Sequence, residues 1–509
     1  MLELKNTLNT DQKPTSGAQW PSILVAWCIL GSIILSGCRA VGPRYKAPVP
    51  PTPDAWHQEI EKEFSQSEPP LQEWWKTLHD PLLEDLIGRA RGSNLTVKQA
   101  LSVIREARYR RRVVSRGLEP RIDYNLSYAR SLPSQNIPPY NFLPPALRDT
   151  DPVNFYSTGF DMAWELDVFG GIRRQIEAAD AGVDASVENY HDVLITLFAE
   201  VALAYTDVRT FQQRLTYAET NFKAQQAVLE LTKSRYESGL AGRLDVEQAT
   251  SNLANTESAI PLLRQGLDLT INRLTLLLSM TPGSLHDELR KTPPPTLPPA
   301  TVAVGLPANL LRQRPDIRRA ERNLAAQVAR IGIVTADLYP RFGLSGNLGW
   351  ETVDFSNPGK GIAYTVVPFL RLNLFNRGRA KANIHGQEEV AQQALLAYEN
   401  TVLIALTEVE GAMTAYREER SRRDALARAS EATAKASDLV QTLYEMGLTD
   451  FQNVLDTQRF LTAQQDQLAI SNGQVRRNLI GLYKALGGGW SSNTPMPDGP
   501  ETRSSISYK

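Results

Sequence analysis

The chain contains two similar halves, which are separated by the proline-rich segment TPPPTLPPA at residues 292–300. A shift of 208 residues places Tyr190 on Tyr398 and aligns two hairpin motifs, YESGL at 236–240 and YEMGL at 444–448. Two further pairs match at shifts of 206 and 220 residues: ELDVFGGIR (165–173) with RLNLFNRGR (371–379), and LEPRIDYNLSYAR (118–130) with LYPRFGLSGNLGW (338–350). The shift changes only where connecting loops would differ, so the sequence predicts a tandem structural duplication.

Each half contains two segments in which the residues alternate between two faces. In the segment that begins at Tyr156, one face is mostly apolar and the other is polar or small. A period of two over about 12 residues is typical of a tilted strand with lipid on one side and water on the other. A soluble antiparallel sheet also explains the alternation, but the many aromatic residues favour membrane strands. The sequence predicts four such strands, near 120–130, 155–168, 340–350 and 363–375, with Asp161, Glu165, Asp167 and Asn373 facing a wet interior.

Long helical stretches follow the second strand of each half. Residues 172–238 contain no proline, and as one helix they would extend about 100 Å. Their apolar residues recur at alternating intervals of three and four and form a seam, which is the apolar stripe typical of a coiled coil. We expect a turn at Gly239 and a returning helix that Pro261 interrupts. The second half repeats this plan through Gly447, with a weaker seam because Glu419 and Arg423 occupy two of its positions. The seam of the first half is Val201, Ala204, Val208, Phe211, Leu215, Ala218 and Phe222.

The longest apolar stretch lies near the N-terminus, from Pro21 to Ser36. It is shorter than the roughly 20 residues that a membrane-spanning helix needs. LSGC at 35–38 follows it and is similar to the lipobox of bacterial lipoproteins, whose cysteine is acylated after cleavage. We therefore expect residues 1–37 to be a lipoprotein signal peptide, Cys38 to carry the lipid, and residues 38–55 to form a proline-rich tether. A short anchor with an unmodified cysteine is the alternative.

The composition excludes several classes of function. Cys28 and Cys38 are the only cysteines, so the rest of the chain has neither a disulfide framework nor a thiolate metal site. A formal net charge of −1 gives no reason to expect nucleic acid as a partner. The sequence contains no phosphate-binding glycine-rich loop, HExxH or G-x-S-x-G motif. We therefore expect neither an enzyme nor a cofactor.

Four membrane strands cannot close a barrel, because the smallest barrels have about eight and an open edge leaves backbone groups unpaired in lipid. Three copies would supply twelve strands. The predicted fold class is an α+β membrane protein, a homotrimeric 12-stranded β-barrel with four strands per chain, continued by a long α-helical coiled-coil tunnel. The predicted domains are a first repeat at 56–291, a second repeat at 301–490 and a disordered tail at 491–509.

Several motifs resemble those of the outer-membrane factor (TolC-like) family: RPDIRRAERNL at 314–324, LYPRFGLSG at 338–346, WELDVFGGIR at 164–173 and LYKALGGGW at 482–490. The lipobox is similar to that of the lipoprotein branch (NodT/OprM-like) of drug-efflux channels. The resemblance runs from about Trp56 to Trp490. It implies a passive trimeric duct in the outer membrane of a Gram-negative bacterium, lipid-anchored and extending into the periplasm.

The resemblance also implies partners. They are a periplasmic adaptor (membrane fusion) protein and an inner-membrane pump, usually the proton-driven resistance-nodulation-division (RND) type, which supplies the energy for exporting drugs and toxic compounds. A periplasmic coiled-coil lipoprotein scaffold, or an adaptor without a barrel, is the alternative function. The four amphipathic strands distinguish a channel from these alternatives, because a protein without a barrel does not need membrane strands.

The same resemblance assigns residues at the two hairpin turns. It implies that Gly239, Leu240, Gly447 and Leu448 form tips that dock the adaptor. It also implies a periplasmic aperture, which residues of the inner helices beside the two turns hold shut; these residues are Asp245, Arg243, Tyr444, Asn453 and Asp456. Asn453 replaces an aspartate of the family, so we expect a less acidic ring. The alternative is that Asp245 and Asp456 only stabilise the starts of these helices.

Overall fold

The structure, a computed structural model, describes residues 40–50, 52–57, 64, 65, 67, 71–132, 151–290, 302–354 and 360–491, together with residues 134, 138, 142 and 144. These residues fall into two compact units. The strand unit takes them from 1–45, 111–179 and 327–391, and the helical unit takes them from 46–110, 180–326 and 392–509. Cys38, with the predicted signal peptide and most of the predicted tail, lies outside the described residues.

The strand unit is built on one four-stranded antiparallel sheet with the order β2-β3-β5-β6. β2 and β3 pair within the first half, β5 and β6 pair within the second, and β3 pairs with β5 to join the halves. This arrangement confirms the predicted four strands, two in each half. Two short strands, β1 and β4, pair in parallel elsewhere. The strands are β1 (Phe64–Ser65), β2 (Arg121–Ser131), β3 (Val153–Leu166), β4 (Val302–Ala303), β5 (Arg341–Thr352) and β6 (Ile362–Arg371).

Nine α-helices lie in the described part of the chain. The four long ones form two hairpins, one in each half. The helices are α1 (Pro81–Ser93), α2 (Leu95–Ser115), α3 (Gly171–Glu237), α4 (Arg243–Leu277), α5 (His286–Arg290), α6 (Leu310–Gln313), α7 (Pro315–Ala336), α8 (Arg377–Glu445) and α9 (Phe451–Ala485). Among the residues that the structure describes, no helix combines the length and apolar character needed to cross a membrane.

The apolar seam of α3 is confirmed by its burial. Val201, Ala204 and Val208 are completely buried in the main apolar core. Further along α3, Ala218 packs with Ile260 and Leu263 of α4 in a smaller cluster. The three-and-four spacing therefore identified the buried stripe of this helix correctly.

The second hairpin replaces part of this seam with polar contacts, as its sequence predicts. Glu419 of α8 accepts a hydrogen bond from the Ser471 hydroxyl of α9. The Arg423 guanidinium donates to Asn472 Oδ1 at 3.0 Å. Both contacts join the two helices of the hairpin, so the polar residues find partners where the first half has apolar packing.

Two expectations from the sequence are wrong, and the first concerns Pro261. α4 runs from Arg243 to Leu277 with Pro261 inside it, whereas we expected an interruption there. A proline removes one helical hydrogen bond and leaves the carbonyl of the residue four positions earlier without its donor. Here that residue is Glu257, and it is exposed, as is Pro261. Water can therefore satisfy the carbonyl, while Ile260 and Leu263 hold the helix through their buried side chains.

The second correction concerns two of the residues predicted to face the interior of a barrel. Asp167 accepts hydrogen bonds from the backbone N–H groups of Ile172 and Arg173, both at 2.9 Å, at the start of α3. It therefore caps this helix. Asn373 lies beyond the end of β6 at Arg371. Asp161 and Glu165, in contrast, lie on β3 and are exposed.

Arg314, just before α7, is a buried cation that ties three parts of the helical unit together. Its guanidinium lies 2.7 Å from Asp316 and 2.7 Å from Glu408 of α8, and it donates to the Ala485 carbonyl at the end of α9 at 2.9 Å. Burial favours the neutral forms of both groups. The hydrogen bond and charge of Arg314 outweigh this effect and hold the pKa of Asp316 below its ordinary value.

Candidate functional site

The two hairpin turns have the same backbone geometry. Gly239 ends α3 with a φ of 76°, and Gly447 ends α8 with a φ of 79°. This left-handed conformation favours glycine, which has no Cβ to clash. In each turn two N–H groups close the helix end in the Schellman pattern. The bonds are Gly239 N to Tyr236 O (2.9 Å) and Leu240 N to Arg235 O (2.7 Å), then Gly447 N to Tyr444 O (2.9 Å) and Leu448 N to Leu443 O (2.8 Å).

An apolar residue projects from each turn directly after the glycine. Leu240 is 69% exposed and Leu448 is 70% exposed. Leu244 and Met446, close by in the sequence, are also largely exposed. Exposed apolar side chains grouped at turns of this kind are typical of an interaction surface.

Tyr444 lies behind the second turn, in an apolar cluster that joins the two hairpins. It is 4% exposed, and its ring centroid lies 5.7 Å from that of Phe451. Its hydroxyl has no hydrogen-bond partner among the described residues. The Tyr444 hydroxyl thus makes no hydrogen bond to the predicted aperture carboxylates, which all lie within the described residues. The buried members of the cluster are Val228, Leu229, Ala249, Tyr444, Phe451, Val454 and Leu455.

Arg235, in the last turn of α3, contacts the end of α8. Its guanidinium carbon lies 4.8 Å from the centre of the Tyr444 ring. It also donates to the Tyr444 carbonyl at 2.8 Å and to the Glu445 carbonyl at 3.4 Å. A cation close to the last carbonyls of a helix stabilises that helix end. Our sequence reasoning missed Arg235, although an arginine four residues before a turn glycine is a helix-end signal.

Asp245 and Arg243 lie at the start of α4. The Gly242 N–H donates to Asp245 Oδ2 at 3.1 Å, so the Asp245 side chain satisfies a backbone donor at the start of its own helix, as the alternative expected. Arg243 is exposed, and its nearest carboxylate is Glu247 at 3.6 Å. These two residues therefore have local partners on their own helix.

Asn453 and Asp456 lie on α9 and do not cap it with their side chains. The Asn453 amide donates to Thr449 Oγ1 at 2.9 Å, and the Gln452 amide donates to both oxygens of Asp456 at 3.0 Å. Asn453 is exposed and Asp456 is half-exposed. Residues three apart share one helical face, so α9 presents an amide and a carboxylate together.

Within the described ranges, no group of three or more His, Cys, Asp or Glu side chains is arranged to hold a metal ion. The turns instead combine exposed leucines, a buried tyrosine held by an arginine, and one polar helical face. This combination suits a surface that contacts another molecule.

The sequence profile of the outer membrane efflux protein family matches residues 86–279 and 306–488, which together are well over half of the chain. The chain belongs to the outer membrane efflux protein family. The two matched ranges follow the two halves of the duplication, and both hairpin turns lie within them.

Several known proteins are similar to this chain over nearly their whole length. Nodulation protein T of Rhizobium leguminosarum bv. viciae is 28% identical over 475 residues, which are 93% of this chain and 95% of that protein. The pyoverdine export outer membrane protein OpmQ of Pseudomonas putida is 31% identical over 456 residues, 88% of this chain and 95% of that protein. Among solved structures, the outer-membrane channel OprN is 33% identical and has a TM-score of 0.80, covering 88% of this chain and 99% of that one.

Membership of the outer membrane efflux protein family confirms the predicted class. The chain has the fold of these trimeric channels, in which strands form a barrel and long helices form a tunnel. It is the outer-membrane channel of an efflux pump, extends into the periplasm, and is not an enzyme. The alternative of a scaffold or adaptor without a barrel is therefore wrong, because such proteins would lack the four-stranded sheet observed here.

Proposed function

We propose that this chain is a lipid-anchored passive duct that receives small toxic or drug-like molecules from a proton-driven RND pump through a periplasmic adaptor. The observation that carries the proposal is the pair of matching hairpin turns, each with an exposed leucine after a left-handed glycine. Two relatives in Pseudomonas putida are named as a toluene efflux pump protein and a pyoverdine exporter. These names support small organic molecules as the cargo.

The experiment is complementation of export in a Gram-negative host that lacks its own channel of this family. The chain is produced with the adaptor and pump encoded beside its gene, and accumulation of a fluorescent pump substrate is followed. We expect export that a protonophore abolishes. Export that persists under the protonophore and stops on ATP depletion would contradict the RND assignment.

The tips provide a matched test of adaptor docking in the same assay. Leu240→Glu combined with Leu448→Glu places charges on both exposed tips, while the left-handed glycines remain in place. We expect this variant to form trimers in the outer membrane and to lose export, because exposed apolar side chains of this kind bind partners by burial. Full export by the trimeric variant would place adaptor docking elsewhere.

Acylation of Cys38 is proposed from the sequence alone, since the residue lies outside the described residues. We expect the mature N-terminus to be a cysteine that carries acyl chains, which mass spectrometry of the purified protein measures. Cys38→Ala should lower processing and yield, while leaving the trimer intact, because a barrel provides its own membrane anchor. An unmodified Cys38 in the mature protein would sink this proposal.

We further propose that the polar face of α9 lines the aperture, so that three copies of Asn453 and Asp456 form a ring. Like charges about 8 Å apart interact by roughly 0.5–2 kcal/mol, depending on the effective dielectric constant. Asn453→Asp adds charge to the ring with little change of shape, and Asp456→Asn removes it. We expect the first substitution to raise the preference for cations over anions and the second to lower it.

The reversal potential across a planar bilayer under a salt gradient measures this preference. Glu247→Gln on α4 is the control, since its carboxylate has Arg243 beside it at the start of another helix. If both α9 variants have the same reversal potential as the parent, Asn453 and Asp456 do not line the conducting path.

A further inference from the structure

The start of α8 carries a concentration of positive charge that the start of α3 lacks. The two helices begin at equivalent positions, Gly171 and Arg377, which differ by the same 206 residues that align the motifs around them. Residues 165–177 contain three carboxylates and two arginines, whereas residues 371–383 contain four cations and no carboxylate. The duplication has therefore kept the helix start and reversed its local charge.

In the first half, carboxylates neutralise the arginines at the start of α3. The Arg173 guanidinium lies 3.1 Å from Asp167. The Arg174 guanidinium lies 2.7 Å from Glu177. Each of these arginines thus has a carboxylate partner from its own half of the chain.

In the second half, asparagines replace both of these carboxylates. At the shift of 206 residues, Asn373 takes the place of Asp167 and Asn383 takes the place of Glu177. Among the described residues, the side chains of Arg377 and Arg379 make no ion pair or hydrogen bond, and neither do those of the two asparagines. Two guanidinium groups close in sequence and without a counter-ion repel each other, so an anion beside both would be favourable.

These four side chains line one cavity of about 210 Å³ within the strand unit, beside the end of α7 and the start of α8. Asn376 and Arg341 also line this cavity. Its lining includes one carboxylate among the described residues, Asp337, which accepts a hydrogen bond from Arg341. The cavity therefore keeps the charges of Arg377 and Arg379 in excess, beside three asparagine amides that can donate hydrogen bonds.

The cavity adjoins the polar face of the sheet. Arg341 begins β5 and lies 3.9 Å from Glu165 of β3. Glu165 pairs with Gly343, so Arg341, Gly343 and Glu165 belong to one face, while Phe342 and Leu344 belong to the other. In a membrane barrel the apolar face meets lipid and the polar face meets water. The cavity therefore opens toward the water-filled interior, at the end of the strands where the helices begin.

We propose that this cavity binds a small oxyanion from the duct, such as phosphate or the carboxylate of a dissolved molecule. Arginine suits this role because its planar guanidinium donates two parallel hydrogen bonds to such groups. In the trimer, three equivalent cavities would surround the duct and concentrate anions at this level. The inference rests on the channel fold and is independent of the lipid anchor, the pump and the aperture residues.

Calorimetric titration of the purified trimer with sodium phosphate, in a non-ionic detergent, measures this binding. We expect one phosphate per chain, and weaker binding at higher sodium chloride concentration because the site is open to water. In Arg377→Gln combined with Arg379→Gln, the affinity should fall about tenfold, as the loss of two exposed charge contacts implies. The matched control is Arg371→Gln combined with Lys381→Gln, which removes two cations of the same segment that do not line the cavity.

A second variant tests the site without removing an arginine. Asn373→Asp combined with Asn383→Glu restores the carboxylates that the first half has at these positions, so Arg379 gains partners within the chain. We expect the same loss of phosphate binding. A parent trimer that binds no phosphate, or equal binding by the parent and both cavity variants, would overturn the proposal.

Two further measurements test whether the anion comes from the duct. Phosphatidylglycerol in mixed micelles offers the same phosphate chemistry from the membrane, and we expect it to leave phosphate binding unchanged. Competition between the two would place the opening on the lipid side and overturn the duct as the source. In a planar bilayer under a salt gradient, the variant that lacks Arg377 and Arg379 should shift its reversal potential toward cations. An unchanged reversal potential would contradict an opening into the duct.

Discussion

Replacing Arg314 with methionine is expected to destabilise the helical unit by about 3 kcal/mol, near the lower end of the range for breaking a buried ion pair. The side chain of Arg314 is 9% exposed and that of Asp316 is 23% exposed. Methionine fills a similar volume but leaves the Asp316 carboxylate charged and mostly buried without its cation. It also removes a hydrogen-bond donor from the Ala485 carbonyl. Thermal unfolding in detergent, followed by far-UV circular dichroism, measures the loss.

The control is Arg319→Met in the first turns of α7, five residues after Arg314. The Arg319 pair with Asp192 has side chains that are one-third exposed, and exposed pairs contribute about 0–1 kcal/mol. An Arg314 variant as stable as the Arg319 variant would show that Arg314 does not hold α7, α8 and α9 together.

The effect of Arg314 should depend on pH in one direction. The pKa of Asp316 is lowered in the folded protein. The Asp316 carboxylate therefore stabilises the fold at pH values above its pKa in the unfolded chain. This stabilisation is lost as the pH falls through the pKa of Asp316 in the folded protein. We therefore expect the stability difference between the parent and Arg314→Met to shrink below about pH 4, the ordinary range of an aspartate.

Replacing Arg235 with methionine should open the periplasmic mouth. The Arg235 guanidinium joins the end of α3 to the end of α8, because it contacts two carbonyls and the Tyr444 ring. Losing these contacts removes about 2 kcal/mol, which changes the ratio of closed to open mouths roughly 30-fold. We expect a higher single-channel conductance, and partial restoration by Arg235→Lys, whose ammonium can reach one carbonyl.

Two matched variants separate this effect from a general loss of charge or packing. Arg243→Met removes an exposed arginine from the same mouth, and Tyr444→Phe removes a hydroxyl that has no partner. Both should conduct like the parent. If Arg235→Met also conducts like the parent while forming normal trimers, the contact is structural and does not control the opening.

Much of the fold could be predicted because its patterns are repeated and local. The strands alternate because their two faces meet different surroundings, and the seam around Ala218 repeats because one face of α3 meets α4. Pro261 shows the limit of a local rule. Its cost depends on whether the Glu257 carbonyl is exposed, which only the packed helix determines.

The candidate site was predicted less well, because a motif gives the position of a residue along the chain and not the direction of its side chain. Tyr444 occupies the expected place before Gly447, yet its ring lies in the apolar cluster with Phe451. Asp245 serves its own helix start. Arg235 acts on a helix more than 200 residues away in sequence, and no local pattern reveals such a pairing.

Conductance of the purified trimer in a planar bilayer, with no nucleotide, proton gradient or partner protein, tests most directly whether the chain forms a passive duct. We expect stepwise currents from the parent that follow the applied voltage, and larger steps from Arg235→Met. Trimers of verified mass that insert into the bilayer and carry no current, as the parent and as Arg235→Met, would contradict a duct.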